Sequence, residues 1–173
     1  MAKTLINMAF SISKMTLFAS KMTFFYLIKI YMSTLDIFIN DDDYFTPKNV
    51  WEDIKHLIPS NKEIWEPFYG DGKSGIFLQE LGFKVIHENE DFFKNNKGDI
   101  IVSNPPFSNT NKIIKRLKEI DKPFILILPI SRICTQYFKE FRGKIQIIIP
   151  KKRISFIKNN KILKSPPFCC VYY

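Results

Sequence analysis

The chemistry available to this chain is concentrated in a few short stretches. In "DIIVSNPPF" an apolar run ends on Asn104, Pro105, Pro106 and Phe107. Proline fixes its own φ, lacks an N–H and pushes the preceding residue toward extended backbone. An amide and an aromatic ring are thus expected on a stiff corner, with the ring exposed and little freedom to lose on binding; a strand terminator followed by a turn is the plainer alternative. A second stretch, "EPFYGDGKSG", holds Gly70, Gly72 and Gly75 in G-x-G-x-x-G spacing, after a strand-like run and before a helix-like one. That context suits a nucleotide cofactor, and the spacing alone fits NAD, FAD or S-adenosylmethionine. A phosphate-binding P-loop would need glycine where Pro67 stands. Glu66 discriminates further: a carboxylate at the strand tip repels a pyrophosphate and attracts the ammonium and sulfonium of S-adenosylmethionine. A solvated Glu66 on an ordinary glycine turn is the competing reading. Downstream, "HENEDFF" offers Glu88 and Glu90 about 20 residues past the first glycine, where a ribose-binding carboxylate belongs. Asp91 and Phe92 follow, an acceptor for an exocyclic amine beside an apolar wall, although one of these acids equally serves as a helix cap.

The elements that must position these residues alternate along the chain. "TPKNVWEDIKHLIP" places Val50, Trp51, Ile54, Leu57 and Ile58 at helical spacing, with Pro47 opening and Pro59 closing it. "KSGIFLQELGF", "TNKIIKRLKEI" and "SRICTQYFKEF" read as further helices, and "EIWEPF", "KVIHE", "DIIVSN", "PFILILP", "KIQIIIP" and "FCCVYY" as strands. The nearly continuous apolar run of "PFILILP" marks a strand buried on both faces. Strands alternating with helices predict an α/β fold with a mainly parallel sheet, whose ligands bind beyond the carboxyl ends of the strands. Both "EPFYGDG" and "SNPPF" fall at such ends.

With "YFTP" (Tyr44–Pro47), "EPFYGDG", "EDFF" and "SNPPF" in this order, the chain resembles the class I S-adenosylmethionine-dependent methyltransferases. More narrowly it is similar to the amino-methyltransferases of the DNA N6-adenine type, including those of phages and viruses. The resemblance runs from about Asp41 onward and implies a Rossmann-like, mainly parallel seven-stranded sheet with helices on both faces. It implies that Tyr44, Phe45, Thr46 and Pro47 fold over the methionine end of the cofactor, that Glu66, Pro67, Phe68, Gly70 and Gly72 lie beneath it, that Glu88 or Glu90 binds the ribose, and that Asp91 and Phe92 form the adenine pocket. Asn104, Pro105, Pro106 and Phe107 then become the catalytic tetrapeptide. An aromatic amine is a poor nucleophile; the Asn104 side-chain oxygen and the Pro105 carbonyl would accept its N–H groups and stabilise charge developing on nitrogen. Phe107 would stack on an extruded or unpaired base. In "KKRISF", Lys152 and Arg153 would contact phosphates while Phe156 covers the base from its other side, or the stretch is a solvated basic turn with Phe156 in the core. The N-P-P-F tetrapeptide is shared by enzymes acting on adenine N6, cytosine N4, guanine N2 and protein glutamine, so RNA bases, a glutamine side chain, or a non-catalytic binding subunit are the alternatives to adenine N6 in DNA.

The 26 basic against 17 acidic residues leave a net charge of +9, in keeping with a polyanionic partner, DNA before RNA. Cys134, Cys169 and Cys170 have no metal-ligand spacing, and neither His56 nor His87 stands near a cysteine, so neither a metal site nor a disulfide framework is expected, and an intracellular, unsecreted protein fits best. Residues 1–35 read as a basic, apolar extension without acids, either a targeting segment or, the preferred reading, an extension outside the functional domain, and 36–173 as the methyltransferase domain that the resemblance implies. Neither Met22–Ile28 nor Thr4–Ser13, the longest uncharged run of the extension, approaches the ~20 residues that span a bilayer. Too few residues follow Phe107 for a separate target-recognition domain, so recognition is expected to be loop-borne, supplied by a partner subunit, or directed at RNA.

Overall fold

The structure, a computed structural model, describes residues 42–173; the expectations for residues 1–35 and the proposed boundary at 36 lie outside them. After the entry loop 42–47, α1 (Lys48–Ile54) begins behind Pro47, whose ring suits a helix start, and runs on into a 3₁₀ turn at Lys55–Leu57. It buries Val50, Trp51 and Ile54, the side of the helix that the apolar spacing marks. There follow β1 (Glu63–Trp65), α2 (Lys73–Glu80), β2 (Lys84–Ile86), β3 (Ile100–Ser103), α3 (Thr110–Ile120) and β4 (Phe124–Pro129). A short antiparallel pair, β5 (Phe156–Lys158) and β6 (Lys161–Leu163), precedes β7 (Cys170–Tyr172).

The main sheet has five strands in the order β2-β1-β3-β4-β7, the first four parallel and β7 antiparallel to β4. Every residue of β3 is buried, as is every residue of β4 after Phe124. A strand without polar alternation is one covered on both faces. On α3 the buried Ile113, Ile114, Leu117 and Ile120 form one stripe at helical spacing. The architecture is α/β and compatible with a Rossmann-like class.

Two expectations fail. Among the described residues the sheet has five strands, not the seven expected. Beyond β2 the chain turns through Glu88–Asp99 instead of adding a strand, so β2 stays an edge, and "KIQIIIP" makes only an isolated bridge from Ile148 to Tyr172. The helix expected in "SRICTQYFKEF" is two 3₁₀ segments, Ile130–Cys134 and Gln136–Phe141, broken at the extended Thr135. Arg142 supplies the reason: its guanidinium donates to the carbonyls of Ile133 (3.3 Å) and Thr135 (3.0 Å), giving these main-chain acceptors partners without an α-helix. No helix among the described residues is long and apolar enough to cross a membrane.

Candidate active site

Parallel strands deliver their C-terminal loops to one edge of the sheet, and three segments meet there. From β1 comes the glycine loop, in which Gly72 adopts φ +79°, a left-handed conformation that a side chain would strain, and opens α2. From β3 comes the Asn104–Phe107 corner. The entry loop closes over both, tied down by Asp42, which accepts from the Ser108 main-chain N–H at 3.0 Å and from the Ser108 hydroxyl. Between them lies a cavity of about 470 Å³, within the range of small-molecule and cofactor sites.

Of the residues singled out in the sequence, Tyr44, Phe45, Thr46, Pro67, Phe68 and Gly70 line this cavity, together with Asn104 and Pro106. Pro105 and Phe107 instead border an adjoining void of about 20 Å³, room for little more than one water. Between Glu88 and Glu90, the cavity wall holds Glu90, preceded by Asn89. Glu88 is absent from the wall and pairs with Lys97 at 2.6 Å. Neither Asp91 nor Phe92 reaches the cavity. Asp91 caps the Phe93 N–H at 2.9 Å, and Phe92, buried, backs Phe68 with ring centroids 5.0 Å apart. Pro47 and Gly72 shape the loops from outside the wall.

Glu66 does not face the cavity either. It is 1% exposed, accepts the Ser103 hydroxyl through Oε1, and has His87 Nδ1 2.6 Å from Oε2. Nδ1 also lies 3.0 Å from the Glu66 carbonyl. Burial pushes the Glu66 carboxyl above its ordinary range, partly offset by bonding to His87 and Ser103; burial alone would depress His87, but the Glu66 carboxylate raises it. The His87 ring stacks on Tyr69 (centroids 4.8 Å apart, 8° between planes), and a Cβ on Gly75 would fall 2.3 Å from its Cγ and Cδ2. The third glycine of the motif therefore makes room for an imidazole. This cluster escapes motif reading, since its signal is the parallel register Trp65↔Ile86, which brings Glu66 beside His87.

Phe107 is 3% exposed, not the exposed platform expected. Its ring meets Phe168 edge-on at 5.2 Å and Phe156 at 6.5 Å, and Tyr44 packs on Phe168 at 4.9 Å. Phe156 is fully buried in the same group. Arg153 donates to the carbonyls of Pro166 and Phe168, holding the second Pro-Pro-Phe segment, Pro166–Phe168, against the first. Lys152 is exposed.

Two polar oxygens on the cavity wall are buried without partners, Thr46 Oγ1 and Asn104 Oδ1. Asn104 donates one of its two amide N–H groups to the Tyr44 carbonyl at 2.8 Å, which orients the amide and leaves Oδ1 as a buried acceptor without a partner. Asp42, Asp43, Asp71 and Glu90 line the same cavity, which has no lysine or arginine on its wall. Lys73 and Lys97 pair with Asp71 and Glu90, at 3.0 and 2.7 Å, which reduces the excess, but every charged side chain on the wall itself is acidic, which favours a cationic ligand over a pyrophosphate. Comparison of the chain with protein-family models, with curated proteins and with solved structures gives no match.

Proposed function

We propose that the protein transfers a methyl group from S-adenosylmethionine to an exocyclic amino nitrogen of a nucleic-acid base, adenine N6 in DNA first. The observation that carries this reading is the buried, partnerless Asn104 Oδ1 on the cavity wall, an acceptor whose amide is oriented by the bond from Nδ2 to the Tyr44 carbonyl. A buried acceptor left unpaired costs about 1–3 kcal/mol, which a donor entering with a ligand recovers.

The residues present fit the cofactor. The carboxylates of the wall suit an ammonium and a sulfonium, Glu90 and Asn89 suit a ribose diol, Phe68 gives an apolar wall for a purine, and the Thr46 hydroxyl has a hydrogen bond to give. Bound there, S-adenosylmethionine supplies an electrophilic methyl and leaves as a neutral thioether. Asn104 Oδ1 and the Pro105 carbonyl accept the two N–H groups of the amine, drawing positive charge toward two fixed dipoles as its lone pair is used. Pro105 and Pro106 hold those dipoles without reorganisation. The amine becomes acidic on methylation and its proton passes to water, so the corner needs no strong base.

The test is incubation with labelled S-adenosylmethionine and a panel of DNA, RNA and peptide substrates, followed by nucleoside and amino-acid mass spectrometry. Methylated adenine in DNA is expected, and Asn104→Ala should abolish it while cofactor affinity measured by calorimetry stays within about threefold. Turnover unchanged in Asn104→Ala would overturn the role assigned to that oxygen. The buried Phe107 favours one second reading, a non-catalytic binding subunit, which the same assay distinguishes by cofactor binding without transfer to any substrate.

A further inference from the structure

Positive charge is distributed unevenly along this chain. Between Phe141 and Tyr173 there are eight basic residues and no acidic one, so this segment carries nearly all of the net +9. Several lysines elsewhere among the described residues are matched with acids, Lys48 with Glu80 at 2.7 Å, Lys97 with Glu88 and Glu90 at 2.6 and 2.7 Å, and Lys73 with Asp71 at 3.0 Å, while Lys55, Lys62, Lys84 and Lys112 are scattered, each with no ion pair. Lys151, Lys152, Lys161 and Lys164 are exposed and pair with no acid among the described residues.

The fold gathers these lysines. The β5–β6 hairpin turns on Asn159 and Asn160, both at positive φ (50° and 58°), the conformation that a tight two-residue hairpin requires. Its register sets Lys158 directly opposite Lys161. The Lys158 ammonium lies over the Tyr44 ring, 4.3 Å from its centroid, and Lys161 is exposed on the neighbouring strand. Arg153 ties the 151–153 loop to the segment leaving β6, because its guanidinium bonds the Phe168 carbonyl at 3.2 Å; Lys151, Lys152 and Lys164 are thereby brought to one region. The hairpin is in turn fastened to the cavity wall. Phe45, which lines the cavity, exchanges main-chain hydrogen bonds of 2.9 and 2.7 Å with Ile157 of β5. β5 thus lies one strand spacing, ~4.8 Å, from the cavity-lining Phe45, with Lys161 on the strand beyond it.

We propose that the 151–153 loop and the β5–β6 hairpin form a docking surface for a nucleic-acid backbone, with Lys151, Lys152, Lys161 and Lys164 set against phosphates. This replaces the contacts expected of Arg153 and Phe156, which the structure commits to the Pro166–Phe168 segment and to the core. A membrane surface is the poorer match: the hairpin exposes one large apolar side chain, Ile162 at 63%, where an interfacial element needs a broad apolar face. The inference rests on the proposed methyl-transfer reading only for where the bound strand leads; the docking itself is independent of it.

Four phosphate contacts give a salt slope of about −3.6 on duplex DNA, so affinity should fall roughly 150-fold between 50 and 200 mM salt. The experiment is fluorescence anisotropy on the full chain with a labelled 20-base-pair duplex, the matching single-stranded DNA and RNA, and, by co-sedimentation, phosphatidylserine vesicles. The variant Lys151→Gln/Lys152→Gln/Lys161→Gln/Lys164→Gln is compared with a control of equal charge change, Lys55→Gln/Lys62→Gln/Lys84→Gln/Lys112→Gln, all exposed elsewhere. Circular dichroism verifies that both fold. Loss of most of the slope in the first variant, with the slope retained in the control, supports the surface; whichever nucleic acid binds most tightly names its form. Equal losses in both variants, or binding to vesicles alone, overturns it. Calorimetry with S-adenosylmethionine separates the two readings: a chain that binds nucleic acid through these lysines but not the cofactor keeps the docking surface and loses the proposed activity.

Discussion

Replacing a helical glycine by alanine ordinarily stabilises a protein by up to about 1 kcal/mol. At Gly75 the opposite sign is expected. A Cβ there lies 2.3 Å from two atoms of the His87 ring and 2.5 Å from its Cβ, far inside contact distance. The ring cannot simply slide, because Tyr69 stacks on it and Nδ1 is held at Glu66. Expelling His87 leaves the Glu66 carboxylate, 1% exposed, with the Ser103 hydroxyl as its remaining side-chain partner. Breaking one side of a buried pair costs about 3–5 kcal/mol. Offset by the helix gain, Gly75→Ala should destabilise by about 2–4 kcal/mol, lowering the urea midpoint by roughly 1–2 M. The decisive comparison is a double-mutant cycle by urea denaturation. His87→Ala removes the obstruction, so adding Gly75→Ala to it should be neutral or stabilising by up to about 1 kcal/mol, giving a coupling of about 3 kcal/mol or more between the sites. A neutral or stabilising Gly75→Ala in the otherwise unaltered chain would refute the claim that this glycine exists to admit the imidazole.

Two other outcomes follow from the same geometry. Phe107→Ala should cost about 3–5 kcal/mol of stability by urea denaturation, because the ring is buried among Phe156, Phe168 and Tyr44; a loss below about 1 kcal/mol would mean that the ring is free to serve as an open stacking surface. The pH dependence has a worked sign: His87 is raised above its unfolded value near 6.5, so its contribution is fully present below that pH and is lost as pH rises through the folded value. Glu66, raised by burial, acts in the same sense from above 4.5 upward. Melting temperature should therefore decline as pH rises from 6 through neutrality, and His87→Gln should flatten that decline; an identical profile in the variant would remove the pair as its source.

The alternation of elements was legible because it depends on local signals. Unbroken apolar runs fixed β3 and β4, helical spacing fixed α1 and α3, and the glycine loop fell between β1 and α2 as its motif requires. Where reading failed, the deciding partner lay far along the chain. Phe107 looks exposed from its own neighbours, and only Phe156 and Phe168, about fifty and sixty residues later, cover it. Glu66 looks like a ligand contact until register sets it beside His87. "KIQIIIP" has the composition of a buried strand, yet Ile147 and Ile149 are exposed, since it pairs with β7 at Ile148 alone and lies at the edge. The charge argument first attached to Glu66 belongs instead to Asp42, Asp43, Asp71 and Glu90, which the local pattern could not assign to one wall.

The same long-range connections bear on how the acceptor at Asn104 is kept pointing the right way. An amide can turn by half a rotation and present two donors where it had offered an oxygen, which would reject an amine. Among the described residues, the bond that decides between these states runs from Asn104 Nδ2 to the Tyr44 carbonyl. Tyr44 is held by its ring against Phe168 and Phe156, and its neighbour Phe45 is paired through the backbone to Ile157. Arg153 secures Phe168 from behind. The orientation of one side chain at the end of β3 is therefore set by the entry loop, the entry loop by the hairpin and the aromatic group, and these by a basic loop that the sequence places nearly fifty residues away. Three hydrogen bonds and one residue of backbone connect the hairpin to Asn104, while the parallel strands are anchored by their own ladder, so a perturbation of the hairpin has a direct route to the acceptor that bypasses the sheet.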